Sequence, residues 1–289
     1  ISGRAVLMNN DLLKLHAKSF FWASFFLSKN IYRKCSHLYN FCRTLDDLVD
    51  DYEELEIRKK KFLEFKKDFF NKKMENLTIK NMWDILNEEK ISLIVLKDLF
   101  DGIESDLNKK VKIHSKKDLL VYSYKVAGTV GLMMSKILKV NNKNALKGAI
   151  DLGIAMQLTN IARDVIEDKK RNREYIDYNF SNIKETINTA DIFYQKSFFA
   201  LKAIPLHSRF SVIVARRIYR KIGDHILKQE NIENYSNAGK IYVPAIGKII
   251  ETFLSIVDFI KLIFINEINY SNEDNHSIIK KEVNLDERI

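Results

Sequence analysis

The chain has 289 residues and 46% hydrophobic content, enough for one large helical domain. Only 9 glycines and 2 prolines punctuate it, which argues against strand-and-turn architectures and for a nearly all-α fold. A formal net charge of +10 would suit nucleic acid, an anionic membrane surface or a phosphorylated substrate. The lysine groups nevertheless alternate with acids, as solvated helix faces do, and no helix-turn-helix or aromatic-basic surface is recognisable, so nucleic acid is not an expected partner.

Apolar positions recur every three or four residues over about 10–28, 31–51, 54–73, 90–108, 116–139, 143–171, 185–203, 207–230 and 240–268. Short polar breaks such as 71–76, 108–115, 141–144 and 231–239 separate these blocks, the spacing of antiparallel helix packing. The reading is a single all-α domain over 9–270, followed by a polar tail, 271–289, forming a short surface helix or no structure. Residues 1–7 precede Met8 and are left out of the fold argument. In the fifth block Gly128 and Gly131 predict a kink or a close approach, either between helices or to a ligand.

Cys35 and Cys42 lie two turns apart on one helix, about 10 Å, too far for a mutual disulfide, so both are expected as reduced thiols of a cytoplasmic protein. The most apolar late stretch, 249–265, contains Glu251, Asp258 and Lys261, and no secretory signal or transmembrane span is expected. The protein is therefore expected to be soluble, or peripheral at the inner face of an anionic membrane.

Two acid clusters carry the chemistry. At 100° per residue, Tyr39, Arg43, Asp46 and Asp50 share a stripe within about 40° of one another's mean direction, flanked by Leu38, Phe41, Leu45 and Val49. In the other, Gln157, Asn160, Asp164 and Asp168 form a similar stripe among Leu152, Ile154, Leu158, Ile161 and Val165. An acid-rich helix end taken alone reads as a solvated face, and amides and acids on a buried helix can pair with one another and with arginine. Two matching stripes instead point to a divalent-metal cage that grips phosphate, with Arg43, Arg163, Arg171, Arg173 and Lys18 as candidate phosphate clamps. Arg163 lies well off the acid stripe, so an ion-pair role has equal standing.

The residues resemble the squalene and phytoene synthase family over about 16–245. The resemblance rests on His16-Ala17-Lys18-Ser19-Phe20, on the run from Tyr39 to Asp51 with its Cys-Arg-x-x-Asp-Asp-x-x-Asp-Asp core, on Tyr122 with Val126 to Gly131, and on Gln157 to Asp168. It implies an all-α isoprenoid synthase bundle around a central apolar cavity. Asp46, Asp50, Asp164 and Asp168 would hold Mg²⁺, with Mn²⁺ a substitute and Asn160 a further oxygen donor. His16, Lys18, Tyr39, Arg43, Asn160 and Arg173 would contact diphosphate, as would Arg163 and Lys240, while Tyr219 resembles a family tyrosine near the leaving group. Phe20, Tyr122, Val126, Ala127 and Gln157 would border the cavity.

Two departures stand out. Asn172-Arg173-Glu174-Tyr175-Ile176-Asp177 replaces Gly-Arg-x-Tyr-x-Pro, so the loop is expected to sit differently, and Lys240 stands where an arginine is expected, weakening the diphosphate grip. The implied activity is head-to-head condensation of two geranylgeranyl diphosphates to phytoene through a cyclopropylcarbinyl diphosphate, without NADPH. The alternatives are a C30 enzyme acting on farnesyl diphosphate and a non-catalytic assembly or lipid-binding scaffold. No dinucleotide fingerprint is present, and chain length and oligomeric state are not readable from the residues.

Overall fold

The computed structural model describes residues 18–51, 53–265, 268 and 270–289, with the side chain of Lys18 left out. Thirteen α-helices follow one another among these residues: α1 (Lys18–Ser24), α2 (Lys29–Asp50), α3 (Leu55–Phe70), α4 (Leu77–Glu88), α5 (Leu93–Glu104), α6 (Lys116–Ser123), α7 (Thr129–Ile137), α8 (Lys143–Lys170), α9 (Phe180–Ser197), α10 (Leu206–Leu227), α11 (Ile232–Asn237), α12 (Ala245–Phe264) and α13 (Glu273–Lys280). Helix α8 has buried residues on nearly every side, as a helix surrounded by others must. It packs against α7, α9, α10 and the 3-10 turn at Phe198–Ala203.

The polar breaks are helix caps. Asn76, Ser92, Ser115, Asn142, Asn179 and Asn231 each accept a backbone N–H from the first turn of the following helix, satisfying donors that have no partner within it. With so few glycines, helix ends close on other residues. Lys72, Lys90 and Lys139 take the left-handed conformation, with φ of 55°, 51° and 64°.

The expected kink in the fifth block is a single π-helical turn, Tyr124–Gly128, between α6 and α7. Its glycines serve a close helix-helix approach. A Cβ on Gly131 would lie 2.2 Å from the Ala149 carbonyl oxygen, and one on Gly153 would lie 2.2 Å from that of Ala127. The α7 region and α8 thus meet backbone to backbone, which only glycine permits.

Three features depart from the sequence reading. Helix α4 falls where no apolar block is predicted, yet Ile79, Met82, Trp83, Ile85 and Leu86 are buried, and the Trp83 indole donates to the Phe69 carbonyl at 2.9 Å. Second, Val111–Lys112 and Arg173–Glu174 form a two-residue parallel ladder in place of pure loop. The third is the tail, which is docked rather than loose. His276 is fully buried against Asp151 at 2.7 Å, Val283 and Leu285 are buried, and Arg288 forks onto Asp98 at 2.9 and 3.2 Å. Its polar residues mislead because they pair inward. No helix among the described residues is long and apolar enough to cross a membrane.

Gly153→Ala should lower the unfolding free energy by about 1–3 kcal/mol in urea titrations, since neither backbone can retreat.

Candidate active site

Helices α2 and α8 each carry one stripe that changes character along its length. On α2 it runs Cys35, Leu38, Tyr39, Cys42 and then Asp46 and Asp50; on α8 it runs Ala145, Ala149, Leu152, Gly153, Met156, Gln157, Asn160 and then Asp164 and Asp168. The apolar parts line a cavity of about 280 Å³, measured for the centres of water-sized molecules. Phe20, Val126, Ala127 and Tyr219 complete its wall, with the Phe20 and Tyr219 rings 4.9 Å apart. The wall is almost wholly apolar, and burial pushes the Cys35 thiol up to about 12 and the Tyr39 hydroxyl up to about 12.

Both stripes turn acidic toward the helix C-termini, where the backbone dipoles already concentrate negative charge. Cations draw these ends together. Asp50 accepts from Arg173 at 2.7 Å and also pairs with Arg171. Asp164 takes both arms of Arg163, at 2.8 and 2.6 Å, and lies 3.4 Å from Lys240, which reaches Glu167 at 2.6 Å. Burial works against the Arg163 cation, but the hydrogen bonds and charge of Asp164 outweigh it and hold its pKa above the ordinary value. Arg43 pairs with Asp47 one turn on, leaving its buried Nε without a partner.

Asp46 and Asp168 make no ion pair among the described residues. The surrounding protein, and then the neighbouring Asp50, push Asp46 up to about 7. The side chain is nevertheless exposed to water, so it does not lie in packed core. Burial, and then Asp164, likewise push Asp168 up to about 7, against the pull of Arg173.

Asp106 sits between the two clusters and adds its charge to both Asp46 and Asp168. Only 8% exposed, it accepts from Tyr122 and from Tyr175, each at 2.7 Å, and faces Arg173. Tyr122, expected on the cavity wall, is not there. Its hydroxyl is needed by Asp106, and its ring stacks on Tyr175 with centroids 4.8 Å apart. Nothing in the sequence marks Asp106, a lone acid after α5; its place is set by packing.

Asn172 takes φ 58°, the left-handed geometry that glycine would supply and that asparagine tolerates better than most residues. From there the short ladder directs Arg173 onto Asp50 and Tyr175 onto Asp106. His16 lies outside the described residues, as does the side chain of Lys18.

No three acidic, histidine or cysteine side chains among the described residues form a metal site by themselves. This fits Mg²⁺, which is commonly bound by one or two carboxylates with water and substrate phosphate completing the octahedron. The donor set is all hard oxygen, and the buried Asn160 Oδ1, beside the acid stripe, has no protein partner. The residues present suit such an ion.

An all-α bundle whose apolar cavity is lined by two helices that end in acids paired with arginines is the architecture of the isoprenoid synthase class. The squalene/phytoene synthase family model matches residues 13–176. The chain belongs to this family of prenyltransferases. It is 28% identical over 257 residues to the 15-cis-phytoene synthase of Pantoea ananas, covering 75% of this chain and 83% of that one. It is also 28% identical over 265 residues to the chloroplastic phytoene synthase of Daucus carota, covering 81% and 66%. Among solved structures, a dehydrosqualene synthase in complex with ligand superposes with a TM-score of 0.71 at 24% identity, covering 88% of this chain and 95% of that one. The squalene synthase HpnC of Alicyclobacillus acidocaldarius gives 0.65 at 14% identity, covering 76% and 92%.

Asp106→Asn keeps a carbonyl acceptor for one tyrosine, turns an amide N–H toward the hydroxyl oxygen of the other, and removes the charge facing Arg173. It should lower kcat/KM for prenyl diphosphate by about tenfold or more, the worth of one charge-assisted contact, with the melting temperature little changed.

Proposed function

We propose that this protein condenses two geranylgeranyl diphosphates head to head to give phytoene. The extent of the cavity lining along α8 supports the choice of substrate. This lining runs from Ala145 to Asn160, roughly 22 Å at the helical rise. An extended geranylgeranyl chain, sixteen main-chain carbons long, needs about 20 Å, whereas farnesyl, with twelve, needs about 15 Å. The similarity to phytoene synthases of bacteria and plants supports the same reading. The C30 alternative is favoured by the fold shared with a dehydrosqualene synthase.

In this reading Asp46, Asp50, Asp164 and Asp168, with Asn160, would hold Mg²⁺ or Mn²⁺. The bound metal would offset charge on the departing diphosphate and so ease cleavage of the allylic C–O bond. Arg43, Arg163, Arg171, Arg173 and Lys240 bind the phosphate oxygens, exchanging carboxylate partners for substrate ones. His16 and Lys18 are assigned to the same task. Tyr39 and Tyr219 stand where the acidic mouth meets the apolar wall and orient the leaving group. Phe20, Val126, Ala127 and Gln157 hold the prenyl chains and exclude water, which would quench the allylic cation.

The cation from one substrate is attacked by the double bond of the other. One diphosphate leaves with its C–O electron pair, a carbon–carbon bond forms to the second substrate, and the C–H electrons released with one lost proton form the other carbon–carbon bond that closes the three-membered ring, giving cyclopropylcarbinyl diphosphate. A second ionisation expels the remaining diphosphate, and rearrangement with loss of another proton leaves a conjugated triene. No hydride is consumed, so NADPH is not required, and the hydrocarbon product favours work at a membrane surface.

Asp46→Asn and Asp164→Asn, each made alone, should cut Mg²⁺-dependent product formation by roughly 10²-fold or more. Full activity in either variant would overturn the roles assigned. Mass analysis of hydrocarbons made from farnesyl and geranylgeranyl diphosphate, with and without NADPH, should show a C40 triene made without reductant. Ala149→Phe, deep in the cavity, should shift kcat/KM toward farnesyl diphosphate by about tenfold.

A further inference from the structure

Helix α12 is built inside out for a helix facing water. Its inward side carries Glu251, Ser255 and Asp258, all buried. Arg217 of α10 holds this side, donating to Glu251 at 2.9 Å and to Asp258 at 2.7 Å. The outward side carries Ile246, Ile249, Phe253, Val257, Ile260 and Phe264, of which Ile246, Phe253 and Phe264 are 73%, 67% and 77% exposed. At 100° per residue these six fall within about 60° of Ile246, and further exposed isoleucines and a leucine widen the arc to about half the helix.

The apolar surface continues past α12. Phe26, at the end of α1, packs edge-on against Phe210 at 4.9 Å, and Phe210 packs against Phe259 of α12 at 6.0 Å, with Phe25 exposed beside them at 67%. The 3-10 turn at Phe198–Ala203 borders the other end, where Lys202 reaches the Ile263 carbonyl at 3.4 Å. Lys202 and Lys261 edge the patch with positive charge. A surface this broad exceeds what a water-facing protein leaves open.

We propose that this face docks on an anionic lipid surface, with α12 lying in the interface rather than crossing it. The shape favours lipid over a second copy. A coiled-coil seam is a narrow stripe, whereas this arc is broad and runs on across α1. Charge favours it too, because two copies each carrying +10 repel, while anionic headgroups attract the same charge. Helix α1 and the turn after it form one wall of the cavity, through Phe20, Ala23, Ser24 and Leu27, and that turn joins the exposed patch through Phe25 and Phe26. Resting on the reading that the product is a hydrocarbon, docking sets the cavity one helix away from the lipid that receives it.

The test is co-sedimentation of the whole protein with phosphatidylcholine vesicles, with and without phosphatidylglycerol. The wild type should pellet with the anionic vesicles, more weakly with the neutral ones. The double variant Phe253→Glu/Ile260→Glu should lose about tenfold or more of its partitioning. Absence of wild-type binding overturns the proposal, as does equal binding by a variant with an unchanged circular-dichroism melt. Should the double variant fail to fold, Phe253→Trp answers separately. Its emission should shift blue and be quenched by brominated lipid in anionic vesicles; no change overturns the proposal. A dimer in sedimentation velocity that the double variant breaks, without vesicle binding, would assign the face to a second copy instead. None of these readouts uses a prenyl substrate. Vesicle binding without synthase activity therefore counts against the proposed reaction alone, and activity without vesicle binding against the docking surface alone.

Discussion

Four carboxylates placed at the C-terminal ends of two helices set the terms for the rest of this structure. Like charges crowd there, and the helix dipoles add to the crowding instead of relieving it. The protein offsets the excess with Arg171 and Arg173 on Asp50 and with Arg163 and Lys240 on Asp164. Asp46 and Asp168 receive no such partner among the described residues, and both are pushed up to about 7. In the proposed reaction this balance would favour the uptake of cations and, with them, an anion rich in oxygen. The arginines pair with the acids, and in the proposed reaction they are the groups that exchange those partners for diphosphate.

The cavity follows from the same two stripes. Once past the acids, small residues on α8 such as Ala145, Ala149 and Gly153 leave space on the side facing α2. Gly131 and Gly153 let the α7 region approach α8 so closely that the cavity is walled by backbone as well as side chains. Within so apolar a wall an unpaired charge would be costly. The acidic and apolar halves are thus consequences of one register on each helix, continued for about four turns on α2 and about six on α8.

Asp106 shows how the mouth is fixed from behind. Tyr122 and Tyr175 both donate to it, and it faces Arg173, so α6 and the loop after α8 are bound to one buried charge. The docked tail plays a similar part farther away, where Arg288 reaches Asp98 and Asp98 accepts from Tyr124 in the π-helical turn. In both places polar residues build the interior, which hydropathy alone reads as surface.

The sequence by itself determined the helical class, the two acid stripes and the family, because each depends on local periodicity and on short runs of residues at fixed spacing. It placed Asp46 and Asp50 on one face, and Asp164 and Asp168 on another, since 100° per residue needs no tertiary knowledge. It did not show helix α4, whose apolar positions are diluted by asparagine and lysine, or the docking of the tail. Only the tertiary structure decided that Tyr122 serves Asp106 instead of the cavity wall, that Asn172 does the work of a glycine, and that α12 turns its isoleucines outward. Those outcomes depend on which partner arrives from a distant part of the chain, and such pairings leave no mark in the spacing of neighbouring residues.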